Sequence, residues 1–230
     1  MKLGERLQTI AAMVPEGVAS IADIGTDHAY LPIYLVKNNI VARAIAGDIH
    51  QGPYLSAKNA VISARLEQVI SVRLGNGLEV VNPGEAEVVA IAGMGGQNII
   101  DILRARPEVI AAVKRLIVQP MIAAPAVRRW FQDNGWQIVS EQLVREDGKL
   151  YQIIAAEPGE KQSFEPILYE IGPVLWQTRH PLLLVHIEEL IAHLRNVLAS
   201  MASSAEAVHS EKYKEFSVKL KELEAKHACL

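Results

Sequence analysis

Cysteine is almost missing from this chain of 230 residues: the only one, Cys229, stands next to the last position. An internal disulfide framework is thereby excluded, and a thiol so near the chain end is poorly placed for catalysis or metal binding. Long apolar runs are missing too. Half of the residues are hydrophobic, but they come in strand-length pieces broken by glycine or charge, so no segment reads as a membrane span. The opening Met1-Lys2-Leu3-Gly4-Glu5-Arg6 lacks the apolar block of a signal peptide. The expectation is a soluble, cytoplasmic protein with no membrane partner. Positive charge is not in excess either, because the formal net charge is -3. That excludes a uniformly basic nucleic-acid binder and leaves room for a local patch. His28, His50, His180, His186, His193, His209 and His227 show no tight pairing with cysteine or carboxylates, so no metal site is expected. His186 and His193, seven apart, read as a wet helix face.

What is present is an alternation. A short helix over Gly4 to Met13, with Leu3, Leu7 and Ile10 inward, is stopped by Pro15 and Gly17. Strand-like runs follow at Val18 to Asp23, Arg43 to Asp48, Ile70 to Leu74, Glu87 to Ala92 and Leu116 to Gln119. Helix-like runs lie between them at Tyr30 to Lys37, Pro53 to Arg65, Gln97 to Arg104 and Pro125 to Asn134. This order builds a parallel sheet covered by helices on both faces. Its end is different, since Trp136 to Arg145 and Leu150 to Ala156 are consecutive strands joined at Asp147-Gly148, a dipeptide suited to a tight hairpin turn. A parallel sheet closed by an antiparallel hairpin, seven strands in all, is a feature of class I methyltransferases.

The character shifts after Pro158-Gly159, and residues 1–160 and 161–230 read as two domains. Leu183, Ile187, Leu190, Leu194, Val197 and Met201 step by three and four, as do Tyr213, Phe216, Leu220 and Leu223. Separated by Ala202-Ser203-Ser204-Ala205, they predict an α-helical coiled-coil extension for packing or docking. Through it the protein would be a monomer or a weak homodimer.

Ligand sites in open α/β sheets gather at the carboxyl ends of the strands. The first strand runs into Asp23-Ile24-Gly25-Thr26-Asp27-His28-Ala29-Tyr30, where Gly25 permits a sharp turn and a carboxylate can hold a cationic amino group. The alternative is that Asp23 and Asp27 only cap the next helix. The second strand ends at Gly47-Asp48-Ile49, and an acid about twenty residues beyond a glycine turn is placed to accept ribose hydroxyls; helix capping is again the alternative. The third leads to Gly75-Asn76-Gly77, able to meet an adenine edge or to be a simple turn. The fourth ends at Ala92-Gly93-Met94-Gly95-Gly96, bare backbone with one polarizable side chain. A dehydrogenase is disfavoured, because no Gly-x-Gly-x-x-Gly follows the first strand. From Arg104 to Arg129 the cations Arg104, Arg106, Lys114, Arg115, Arg128 and Arg129 meet a single acid, Glu108. They read either as a solvated surface or as a phosphate-binding stretch.

The ordered strings DIGTDHAYLP, GDI with GP, GNGLEV, AGMGG, LIVQP, RRWFQDNGW and EDGKLYQI resemble the bacterial tRNA (adenine(22)-N1)-methyltransferase family over essentially the whole chain. The resemblance implies a class I (Rossmann-like) α/β fold, S-adenosyl-L-methionine as cofactor and tRNA as partner, methylated at N1 of an adenine in the D-arm. It also implies Asp23, Gly25, Thr26, Asp27 and His28 around the methionine part, Asp48 and Ile49 at the ribose, Asn76 and Gly77 at the adenine, and Gly93 and Met94 at the reaction zone. Two departures from general methyltransferase patterns stand out. Asp27 and Ala29 occupy positions where glycines are commoner, and no Asn-Pro-Pro-Tyr follows the fourth strand, which suits attack by a ring nitrogen. Asp27, His28 and Tyr30 are the catalytic candidates, against the plainer roles of binding, fixing the turn and packing. A noncatalytic cofactor-binding adaptor and a small-molecule methyltransferase are the rival readings.

Overall fold

The computed structural model describes residues 3–230, so Met1 and Lys2 of the amino-terminal stretch read above lie outside the described residues. The chain divides into two units, residues 1–163 and 164–230.

The first unit is built on a seven-stranded sheet of order β3-β2-β1-β4-β5-β7-β6. Strands β1 (Ser20–Ile24), β2 (Arg43–Asp48), β3 (Ile70–Leu74), β4 (Val88–Met94) and β5 (Arg115–Pro120) run parallel, while β7 (Lys149–Pro158) is antiparallel to β5 and to β6 (Trp136–Glu146). Val88, Val89, Ala90 and Ile91 are all buried, as a strand covered on both faces requires. On one face α1 (Glu5–Ala12), α2 (Tyr30–Lys37) and α3 (Gln51–Ala64) bury Ile10, Leu31, Leu35 and Val61. The other face is covered by α4 (Gly96–Ala105), a one-turn α5 (Pro107–Ile110) and α6 (Ala124–Asp133), through Ile99, Leu103, Val127 and Phe131.

Most differences from the expected elements are at boundaries. Helix α3 starts at Gln51 rather than Pro53, because a proline is tolerated in a first helical turn, where its missing N–H has no partner to lose. The hairpin turn has φ of 50° at Asp147 and 75° at Gly148, the positive pair that a two-residue turn between twisted strands requires.

The cationic stretch is not one surface. Arg128 is 0% exposed; its Nε donates to Glu141 Oε1 at 2.7 Å and its Nη2 to Gln152 Oε1 at 2.7 Å. It is a core ion pair and cannot reach a phosphate. Arg115 donates to Glu157 at 2.8 Å and to the Met13 carbonyl at 2.7 Å, Arg106 pairs with Glu108, and Lys114 lies 3.4 Å from Glu87. Lys114 and Arg115 stand at the amino end of β5, opposite the carboxyl ends where ligands collect. Arg104 and Arg129 are exposed, on α4 and α6.

The second unit contains α7 (Leu168–Ile171), α8 (Pro173–Gln177), α9 (Leu183–Met201), α10 (Ala205–Val208) and α11 (Glu211–His227). Helices α9 and α11 pack antiparallel, since Arg195 pairs with Glu224 at 2.6 Å while Glu188 meets His227 at 3.5 Å. The buried positions of α9 include Ile191 and Leu198, not the expected Leu190 and Val197, and on α11 only Leu223 is fully buried. The unit is also more than a two-helix coil, because Lys219 and Lys226 of α11 pair with Glu170 and Glu165 at 2.8 and 2.7 Å. His186 belongs to the buried side of α9, contrary to the wet face expected for it, and His193 is exposed. The buried Ile187, Ile191, Leu194 and Leu198 keep the expected steps of four and three, with the seam passing one residue beyond Leu190 and Val197.

Removing one partner of the buried pair leaves the other uncompensated. Arg128→Met is expected to destabilise the protein by about 3–5 kcal/mol in urea unfolding, and the double variant with Glu141→Leu by less than that single change.

Candidate active site

Strand β1 has β2 on one side and β4 on the other, which makes the ends of β1 and β4 the switch point where the sheet's crossovers part in opposite directions. A cleft of about 500 Å³ opens there, a size suited to a nucleoside-bearing ligand. Gly25, Asp48, Ile49, Asn76, Gly77, Gly93 and Met94 line it. Seven sequence-predicted residues from four strand ends thus converge on one space.

Bare backbone shapes the cleft. Gly25 has φ of +78°, and a Cβ there would overlap the Met94 Cε; two strand ends meet at a separation that admits no side chain. Its N–H donates to the Gly47 carbonyl at 2.8 Å, and the Thr26 N–H shares that acceptor at 3.1 Å. At β4 the ladder to β5 slips between Ala92 and Met94, and Met94 faces Pro120. Gly93 is the residue left over, at φ of +77°, and its N–H is accepted by Gln119 Oε1 at 3.1 Å.

Asp48 ties the turns together. Its Oδ1 accepts from the His50 N–H at 2.9 Å and its Oδ2 from the Asp27 N–H at 3.4 Å. A carboxylate offers roughly four acceptor sites, so capacity remains for a pair of ligand hydroxyls. The N-cap of α3 is His50 and no side chain caps that helix, so Asp48 braces the two turns and is not the helix cap considered for it.

Asp23 and Thr26 do not line the cleft. Both are buried beneath it, with the Thr26 hydroxyl donating to Asp23 Oδ2 at 2.7 Å. Burial pushes the Asp23 carboxyl up to about 6 from an ordinary 3.8; the Thr26 bond and the nearby Arg6 pull it down, and Asp48 adds to the rise. Asp27, His28 and Tyr30 also stand outside the lining. Asp27 Oδ2 lies 3.6 Å from His28 Nε2, and the His28 and Tyr30 rings stack at 5.1 Å with 13° between their planes. Asp27 and Ala29 take positive φ values of 50° and 53°. The three side chains form an exposed polar and aromatic group on the turn after β1.

The sequence reading missed the helix α4 wall. Asn98, Asp101 and Ile102 line the cleft, and their spacing of three and four puts them on one helix face directly after the glycine turn. That spacing was the available signal. It also missed Gln119, the lone amide in the apolar strand β5. Fully buried, its Oε1 accepts from Gly93 and from Arg6 Nη1 at 2.9 Å.

A family model described as tRNA (adenine(22)-N(1))-methyltransferase matches residues 21–225. A curated tRNA (adenine(22)-N(1))-methyltransferase of Bacillus subtilis is 43% identical over 189 residues, covering 80% of this chain and 79% of the relative. A Streptococcus pneumoniae protein, Sp1610, solved in complex with S-adenosyl-L-methionine, superposes with a TM-score of 0.88 at 33% identity, covering 98% of this chain and 100% of that one. The structure of M. capricolum TrmK in complex with S-adenosyl-homocysteine matches with a TM-score of 0.85 at 28% identity, over 99% of both chains.

Gly25→Ala, strained at its φ and pressed on Met94, is expected to weaken S-adenosylhomocysteine binding by about tenfold or more in calorimetry, with the far-UV spectrum unchanged. Asp23 generates a pH prediction. Its folded carboxyl is held above the unfolded value, so its contribution is fully favourable below about pH 4 and is lost as pH rises to about 6 and beyond. Asp23→Asn should therefore gain on the wild type across that window by up to the order of 3 kcal/mol, read as urea stability at pH 4 and pH 7.

Proposed function

The chain belongs to the tRNA (adenine(22)-N(1))-methyltransferase family, and we propose that it transfers the methyl group of S-adenosyl-L-methionine to N1 of adenine 22 in tRNA, using the cleft at the ends of β1 to β4. The observation that carries this reading is the convergence of Gly25, Asp48, Asn76 and Met94 on one cleft. The residues fit the cofactor: bare backbone where a ligand must lie flat, a carboxylate with free acceptor capacity, and an amide at the far end.

In the proposed assignment Asp48 accepts the ribose hydroxyls and Asn76 meets the adenine edge. Ile49 and Gly77 enclose that half, and Asp101 faces it from α4. Asp23 and Thr26 support the methionine half from below. When bound, the cofactor supplies an intrinsically electrophilic methyl on sulfur. Gly93 and Met94 position the approach, with Gln119 fixing the Gly93 amide. Adenine N1 already carries a lone pair, so alignment does most of the work and no strong base is required.

Methylation makes the adenine ring cationic. The Asp27 carboxylate stabilises that charge, His28 accepts a proton from the exocyclic amine, and Tyr30 stacks on the extruded base. Their exposure on the turn after β1, outside the cleft lining, supports a role toward the substrate. Arg104 and Arg129, exposed on neighbouring helices, contact tRNA phosphates.

Incubation with radiolabelled S-adenosyl-L-methionine and unmodified tRNA should give 1-methyladenosine on digestion, and none from a tRNA whose adenine 22 is replaced by guanine. Good cofactor binding without label in tRNA would reject the reading and favour an adaptor. Asp27→Asn and His28→Ala should slow single-turnover transfer about a hundredfold while cofactor affinity changes little. Reversing charge at Arg104 and Arg129 should weaken tRNA binding and flatten its salt dependence.

A further inference from the structure

Strand β5 passes into α6 through Met121, Ile122 and Ala123. Two of these carry large apolar side chains and present them to solvent, Met121 at 46% and Ile122 at 72% exposure. Such exposure on a slack loop would mean little. This turn is fixed: the Met121 N–H donates to the Met94 carbonyl at 2.8 Å, and the Gly96 N–H donates to the Ile122 carbonyl at 2.9 Å. The Met121 sulfur lies 3.5 Å from Gln119 Nε2. Gly96 sits so close that a Cβ would meet the Ala123 carbonyl oxygen at 2.7 Å. Ala123 itself takes φ of +58°, a conformation a residue with a side chain adopts only when its surroundings impose it. The turns after β4 and β5 are thus laced together, and the lacing holds two apolar side chains outward.

Their neighbours indicate the partner. The carbonyl that Met121 engages is that of Met94, which lines the cleft where its two strand turns meet. On the opposite side of β4 in the sheet order lies β1, whose turn carries the stacked His28 and Tyr30 rings. With strands about 4.8 Å apart, the ends of β1 and β5 flank β4 at roughly 10 Å from one another. An aromatic group stands on one side of the reaction zone and an aliphatic one on the other. A planar group with two stackable faces satisfies both.

We propose that Met121 and Ile122 form a ledge that supports the extruded target adenine on the face turned away from His28 and Tyr30. The proposal rests on the methyltransferase reading above. The ledge makes no hydrogen bonds to the base; it excludes water and limits the base's tilt, so that N1 is presented toward Met94.

The test uses full-length protein with Ile122→Ser and Ile122→Leu, and a tRNA carrying 2-aminopurine at position 22 whose fluorescence reports extrusion. Wild type is first assayed on unmodified tRNA. Ile122→Ser is expected to slow single-turnover transfer at saturating tRNA by about tenfold or more and to reduce the fluorescence change on binding several-fold, as loss of one base stack implies. Its S-adenosylhomocysteine affinity should remain that of the wild type, and Ile122→Leu should restore both the rate and the fluorescence change. Wild-type rate and extrusion in Ile122→Ser, an equally slow Ile122→Leu, or a loss of cofactor affinity that matches the loss of rate would each overturn the ledge. A wild-type protein that leaves adenine 22 unmethylated would overturn the function and the ledge with it.

Discussion

The site depends on how closely two neighbouring strand ends approach. Gly25 after β1 and Met94 at the end of β4 are in a contact that leaves no room for a Cβ, and every other feature accommodates it. The turn after β1 must take positive φ at Gly25, Asp27 and Ala29 to leave the contact. The ladder between β4 and β5 must slip by one residue to deliver Met94, and the slip leaves the Gly93 N–H without a backbone acceptor. Gln119, the only polar side chain of β5 fully buried within the sheet, supplies that acceptor. Arg6 then holds Gln119, so a chain of hydrogen bonds runs from helix α1 to Gly93 at the cleft.

The electrostatics follow the same geography. Two carboxylates lie on adjacent strand ends, and the structure treats them differently. Asp48 is held at the cleft wall by the backbone N–H groups of Asp27 and His50. Asp23 is buried with Thr26 as its partner and is raised toward neutrality, which limits the repulsion between the two. Asp27, the third acid, is exposed on the turn after β1 beside His28. The acids are thus divided among the cleft lining, a buried support and an exposed turn.

Much of this was legible in the residues. Glycines and acids at strand ends declared the cleft, because turns that approach a ligand need bare backbone, and Asp147-Gly148 declared the hairpin because few other dipeptides accept two positive φ values. The α4 wall was overlooked, although Asn98, Asp101 and Ile102 share a helix face, since no local rule says which face of a crossover helix looks at the ligand. Arg128 was misread as surface charge. Its partners Glu141 and Gln152 are distant in sequence, and a core ion pair leaves no periodic mark. The helical seam keeps its heptad spacing but passes through Ile191 and Leu198 rather than Leu190 and Val197, because all four are apolar and the spacing alone fits either pair.

We propose that the ends of β1 to β4 hold S-adenosyl-L-methionine with its reactive end at Met94. A structure of the protein with S-adenosylhomocysteine bound tests it most directly. Ribose hydroxyls are expected on Asp48, the adenine between Asn76 and Asp101, and the sulfur nearest Met94. A ligand bound away from the cleft, or reversed so that its adenine lies at Met94, would contradict it.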